Sequence, residues 1–305
     1  MSASAVPTST VRRILIQRTV SEFRNVRKSL TPPTASSSNL IGFVPTMGAL
    51  HIGHLSLLER AKAENDTVVC SIFVNPTQFG PNEDLDAYPR QFEQDVDLLE
   101  SLGVDYCFAP DINSMYGPNH VTFVDPVGFD DLSEGMIRPG HFRGVATIVT
   151  KLLNIVQPSR AYFGQKDAAQ CVLIKRVVED LNMDVDIVIG ETVREADGLA
   201  LSSRNAYLKE EERKAAPIIH RSMQKANELF QSYVSEDITV SVSQIQGVVE
   251  NSLRSEPLVG EIQYISVDSR DTMLPLEEID SKGAVLSVAV KVGAVRLIDN
   301  IILGK

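Results

Sequence analysis

The chain has no tryptophan, only three cysteines, and no apolar run near the ~18–20 residues that a membrane helix requires. The missing tryptophan excludes nothing by itself. The missing apolar run excludes a helical membrane span. Basic residues are in deficit: 29 Lys and Arg against 40 Asp and Glu leave a formal charge of -11. That balance argues against nucleic acid as a partner, because affinity for a phosphate backbone comes from clustered Lys and Arg. It leaves room for a local basic pocket that takes a small phosphate ligand. Cys70, Cys107 and Cys171 are isolated and fall in apolar stretches, with no pair at metal-ligand spacing. They read as buried free thiols of a cytoplasmic protein. Residues 1–11 lack the apolar core of a secretory signal. They read as a disordered start, with an acid-poor organelle transit segment as the alternative.

What is present is globular: 305 residues, 43% hydrophobic and 23% charged, enough for two ordinary domains or one large one. A Pro- and Ser-rich loop spans Thr31 to Asn39. After it, short apolar runs alternate with helical patterns. Leu40–Val44, Val68–Val74, Val104–Phe108, Ala161–Phe163 and Val185–Ile189 read as strands. Phe92, Val96, Leu99 and Leu102 share a helical face, as do Val145 to Val156 and Ile174 to Leu181 at the same spacing. This alternation implies a parallel sheet with crossover helices on both faces. Beyond residue 190 the texture changes. One long polar helix over 209–231, a helix over 240–253, and strands at 262–267 and 285–292 imply a smaller C-terminal α+β domain. The expected division is therefore 1–190 and 191–305.

Four stretches carry chemistry. VPTMGALHIGH (Val44 to His54) leaves a strand, turns at Pro and Gly, and enters a helix near His54. Helix N-termini at strand ends favour anions through unpaired N–H groups and the dipole. Gly48 and Gly53 allow close backbone approach. His51 and His54 stand at that mouth, where imidazole can donate to phosphate oxygens. SIFVNPTQF places Gln78 at the next strand end; its amide can donate and accept, which suits a hydroxy-carboxylate. FGQKDAAQ brings Lys166 as a point charge for phosphate, Asp167 as a helix cap and Gln170 one turn on. TVREADGLALSSRN offers Ser202, Ser203 and the Arg204 fork in a loop suited to a triphosphate.

The His-x-Gly-His stretch resembles the nucleotidyltransferase superfamily. The four together, with RPGHFRGV (Arg138 to Val145) and RLIDN (Arg296 to Asn300), resemble the pantoate–β-alanine ligases over about Leu40 to Asn300. The resemblance implies a Rossmann-like domain and a smaller domain that closes over ATP, usually as a homodimer. It implies a cytoplasmic ligase that joins pantoate to β-alanine through a pantoyl adenylate, using ATP and magnesium. It puts Met47, Gly48, Ala49, Leu50, His51, Ile52, Gly53 and His54 at ATP, with His54 as a catalytic proton donor. Gly164, Gln165, Lys166, Asp167, Val193, Leu201, Ser202, Ser203 and Arg204 also contact ATP in this reading. His51 and Lys166 act on the phosphates. Gln78 and Gln170 hold pantoate, Gln78 also near β-alanine. A magnesium-associated acidic pair maps to Gln94 and Asp95, so Asp95 alone can serve. Gln165 and Ala169 stand where many members have Glu and Gln. Another adenylyl- or cytidylyltransferase, a class I tRNA synthetase and an inactive nucleotide-binding module are the competing readings. Gln78, Gln170 and the Ser-Ser-Arg loop argue against the first, and acidity against the second. Retained His54 and Lys166 argue against the third.

Overall fold

The computed structural model describes residues 13–30, 39–81, 83–236 and 238–304. The expected disordered start and nearly all of the Pro/Ser-rich loop lie outside them. The order of elements is β1 (Leu15–Gln17), α1 (Val20–Ser29), β2 (Ile41–Thr46), α2 (Ile52–Glu64), β3 (Thr67–Ile72), α3 (Phe92–Ser101) and β4 (Tyr106–Phe108). Then come α4 (Ile112–Met115), α5 (Ser133–Ile137), α6 (His141–Val156), β5 (Arg160–Gly164), α7 (Ala168–Asp180) and β6 (Asp186–Gly190). The remainder is α8 (Glu210–Ala215), α9 (Ile218–Val234), β7 (Val240–Ser241), α10 (Val242–Arg254), β8 (Val259–Asp268), β9 (Glu278–Ile279), β10 (Ala284–Val292) and β11 (Val295–Leu303).

The first six strands form one sheet in the order β1-β4-β3-β2-β5-β6, and every pairing is parallel. Such strands are buried on both faces, so they read as apolar runs rather than alternations. One face packs Phe43, Val69 and Phe163 against α6 and α7; the other packs Val44, Cys70 and Tyr162 against α2 and α3. From β2 the chain proceeds outward to β3 and β4, then returns to place β5 on the other side of β2. That reversal leaves a crevice at the carboxyl ends of β2 and β5. The C-terminal part packs α9 and α10 on an antiparallel sheet of order β11-β10-β8. A small cluster of Leu132, Ala168, Val172, Met273 and Val285 joins the two cores. No helix among the described residues is long and apolar enough to cross a membrane. All three cysteines are free and buried.

Some expectations change. The helix expected from 209 to 231 is two helices, because Pro217 has no N–H to give the Arg213 carbonyl and its ring crowds that carbonyl. β1 and α1 were not expected from the pattern. β1 is three residues long and exposes Leu15 by 51% and Ile16 by 38%, so it shows no buried face. α1 does carry an apolar face, with Phe23 buried and Val20, Val26 and Leu30 packed on the same core, a spacing passed over above. The Asp167 side chain stands at the head of α7 but makes no cap bond.

Candidate active site

The loop after β2 is set by a buried acid. Asp95 of α3 is 1% exposed and accepts from Ala49 N (2.9 Å) and Leu50 N (2.7 Å), one on each oxygen. Gly48 sits at φ +85° with Asp95 Oδ2 3.0 Å from where a Cβ would stand. The glycine makes room for the acid and for Ile72. Asp95 is not among the residues lining the cavity described below; where a metal role was expected, both its oxygens accept backbone N–H groups and the side chain braces the turn. Asp95→Asn is expected to cost about 1–3 kcal/mol in denaturant unfolding, from one poorly paired buried N–H. The magnesium requirement should not move; a raised requirement at unchanged stability would restore the metal role.

α2 begins at Ile52, with His51 as its N-cap rather than near His54. His51 Nδ1 accepts from Gly53 N (3.2 Å), and His54 Nδ1 accepts from His51 N (3.3 Å). Each ring therefore carries its proton on Nε2. The rings lie 4.1 Å apart. Burial pushes His54 down to about 3, helped by His51 and Lys166. Burial, then Lys166, also lowers His51. The helix mouth thus presents two neutral Nε2–H donors in place of bare backbone N–H groups.

These rings open on a cavity of about 250 Å³ in the crevice between β2 and β5. Met47, Gly53, Gln78, Gly164, Lys166, Asp167, Gln170, Val193, Leu201, Ser202, Ser203 and Arg204 line it with them. Other expected ATP contacts do not. Gly48, Ala49 and Leu50 are folded beneath the turn, with Ala49 and Leu50 buried, and Ile52 is 61% exposed. Gln165 turns away and donates to Asn300 Oδ1 (3.2 Å). Asn300 in return holds the carbonyls of Gln165 (2.9 Å) and Lys166 (2.8 Å), so the second sheet fixes the lysine turn.

Charge in the cavity is unevenly committed. Arg204 was expected to grip phosphate, yet its fork is closed on Asp84 (2.9 and 2.8 Å). Arg138 is closed on Glu83 (2.8 and 2.7 Å) and also reaches Glu134. Glu134 is largely buried, which would raise its pKa, but Arg296 and Arg138 hold it down at about 2. Lys166 has no ion-pair partner among the described residues. The floor is apolar, with Phe73, Val145, Ile148, Val149 and Leu152.

Several participants were missed. Asn75, Tyr88, Arg138 and His141 line the cavity, and His141 Nδ1 and Arg138 Nη2 both meet the Gln78 carbonyl (2.9 and 3.3 Å). Burial, then Arg138, lowers His141 to about 4. The signal for Arg138 and His141 was the RPGHFRGV stretch, and that for Asn75 was SIFVNPTQF, both quoted above without these roles; Tyr88 had none. Asp84 had no signal, because its partner lies 120 residues away.

A parallel sheet with paired imidazoles at its reversal point, faced by a lysine turn and a Ser-Ser-Arg loop, defines an α/β enzyme that handles a nucleotide. The family model described as pantoate-beta-alanine ligase matches residues 15–302. The chain belongs to the pantoate–β-alanine ligase family. It is 50% identical over 279 residues to the pantothenate synthetase of Fervidobacterium nodosum, covering 92% of this chain and 97% of that one. Among solved structures, pantothenate synthetase from Thermus thermophilus superposes with a TM-score of 0.86 at 43% identity, over 96% of this chain and 100% of that one. The Francisella tularensis pantoate-beta-alanine ligase, solved with beta-gamma ATP and beta-alanine, gives 0.74 at 35% identity, over 96% and 98%.

Proposed function

We propose that this cavity joins pantoate to β-alanine at the expense of ATP, releasing AMP and pyrophosphate by way of a pantoyl adenylate. The observation that carries this reading is the convergence of four separate stretches of chain on one crevice. The pantoate carboxylate attacks the α-phosphorus of ATP, and the bond to pyrophosphate breaks. The amine of β-alanine then attacks the activated carbonyl, loses a proton, and AMP leaves. His51 and His54 donate Nε2–H bonds to phosphate oxygens as charge grows on them. A neutral His54 acts here by hydrogen bonding, not by giving up a proton. Lys166 supplies the positive charge. The apolar floor suits the dimethyl-substituted carbon of pantoate, and the Gln78 and Gln170 amides suit its oxygens. Magnesium arrives with the nucleotide. No group of three or more His, Cys, Asp or Glu among the described residues could hold a resident metal; Asp167 and Glu191 are the carboxylates on the lining that could reach the ATP-borne ion.

In this reading the chain divides near residue 190, where β6 ends, and the second part closes over ATP and excludes water from the adenylate. It works in the cytoplasm, which three reduced, buried thiols support. It works as a homodimer, which the exposed Val121 (84%) and Val127 (97%) support as apolar surface available for burial. The direct test supplies pantoate, β-alanine, ATP and magnesium and follows pantothenate and AMP. Equal amounts of both are expected; ATP hydrolysis without pantothenate would overturn the reading. Gln78→Ala is expected to raise the pantoate KM about 10-fold or more, from a lost bond to a charged oxygen, with the ATP KM little changed. Equal effects on both would remove Gln78 from the pantoate site.

A further inference from the structure

Gln78 is held from two sides. Its backbone carbonyl is fixed by Arg138 and His141. Its side chain is fixed by Asn75, whose Nδ2 donates to Gln78 Oε1 (2.9 Å) and to the Gly144 carbonyl of α6 (3.2 Å). Asn75 is 1% exposed, so its amide polarity must be satisfied internally. The acceptor end is met by two hydroxyls: Tyr116 donates to Asn75 Oδ1 at 2.9 Å and Thr77 Oγ1 at 3.0 Å, and these hydroxyls lie 3.1 Å from one another. A flipped Asn75 would put its N–H2 against the hydroxyls and its oxygen against the Gly144 carbonyl. With Asn75 locked, Gln78 Oε1 is committed to it. The Gln78 N–H2 is the end left for the cavity, so this spot offers donors only.

We propose that Tyr116 is a positioning residue for the hydroxy-acid substrate, acting through Asn75 to fix the Gln78 amide as a donor. This rests on the reading that Gln78 meets pantoate. Tyr116 itself does not line the cavity. Its ring is held independently of the hydroxyl, edge-on to His120 at 5.0 Å, near Phe73 at 6.4 Å and under Lys151 Nζ at 5.2 Å. Tyr116→Phe therefore removes the hydroxyl and keeps the packing. Burial raises the phenol pKa, outweighing the Thr77 hydrogen bond, which keeps the donating proton in place at working pH. A ligand able to answer this site must bring acceptors, as a carboxylate or hydroxyl oxygen does.

The test is a double-mutant cycle with Gln78→Ala, read as KM for each substrate in the full reaction. Tyr116→Phe alone is expected to raise the pantoate KM about three- to tenfold, the worth of one oriented hydrogen bond. The ATP KM and the melting temperature should stay close to wild type. In the Gln78→Ala background the same change is expected to alter the pantoate KM less than twofold. Thr77→Val, which removes the second hydroxyl, should behave in the same way. Full additivity with Gln78→Ala, equal rises for pantoate and ATP, or no effect of Tyr116→Phe would each overturn the proposal. If Gln78→Ala itself leaves the pantoate KM unchanged, the reading of Gln78 fails instead.

Discussion

His54→Ala is expected to slow adenylate formation by about 100-fold or more, the cost of one donor aimed at developing charge. His54 sits where β2 meets α2 on the cavity lining, with Nδ1 tied to the His51 backbone, which leaves Nε2–H as the ring's donor. Single-turnover release of pyrophosphate measures this step directly; an unchanged rate would remove His54 from the mechanism. The pH dependence carries a second consequence. Because burial holds the free-enzyme pKa at about 3, the ring stays neutral at every working pH. An acid limb in kcat/KM near 6.5 that disappeared in His54→Gln would contradict the neutral-donor role. Stability has the opposite visibility. An unfolded histidine binds a proton below about 6.5, and the folded one does so only near 3. His54 thus lowers stability as pH falls through that window, and His54→Gln should flatten the loss.

The loss of Lys166 should be as severe. It is the cavity cation without an ion-pair partner among the described residues, while Arg138 and Arg204 are closed on carboxylates. Lys166→Met is expected to lower kcat/KM for ATP by about 100- to 1,000-fold, in the range of transition-state charge contacts. Lys166→Arg should recover only part of this, since a planar fork does not replace a compact ammonium. An ATP KM and kcat both within twofold of wild type in Lys166→Met would show that the triphosphate is held elsewhere. Because Asn300 fixes the Lys166 carbonyl, the lysine turn depends on the second sheet for its position.

The four motifs were legible because each closes a strand and opens a turn or helix, and a parallel sheet gathers strand ends on one edge. The parallel sheet was legible from runs such as Val68 to Val74, apolar on both faces. What could not be read was pairing between distant residues. Asp95 looked like an acid at a metal site, and nothing local showed that its oxygens serve N–H groups 45 and 46 positions earlier. Arg204 looked free because Asp84 lies 120 residues away, and Asn300, quoted within RLIDN without a role, gave no sign that it would meet Lys166 across 134. β1 escaped notice for another reason: a three-residue strand with two exposed apolar side chains owes its form to pairing with β4, not to its own pattern.

The central claim is that the crevice activates pantoate on ATP before β-alanine takes part. Exchange of labelled pyrophosphate into ATP, run without β-alanine, tests it most directly. The expected result is exchange that requires both pantoate and magnesium and falls about 100-fold or more in His54→Ala. Exchange that proceeds without pantoate, or that appears only once β-alanine is added, would contradict the account.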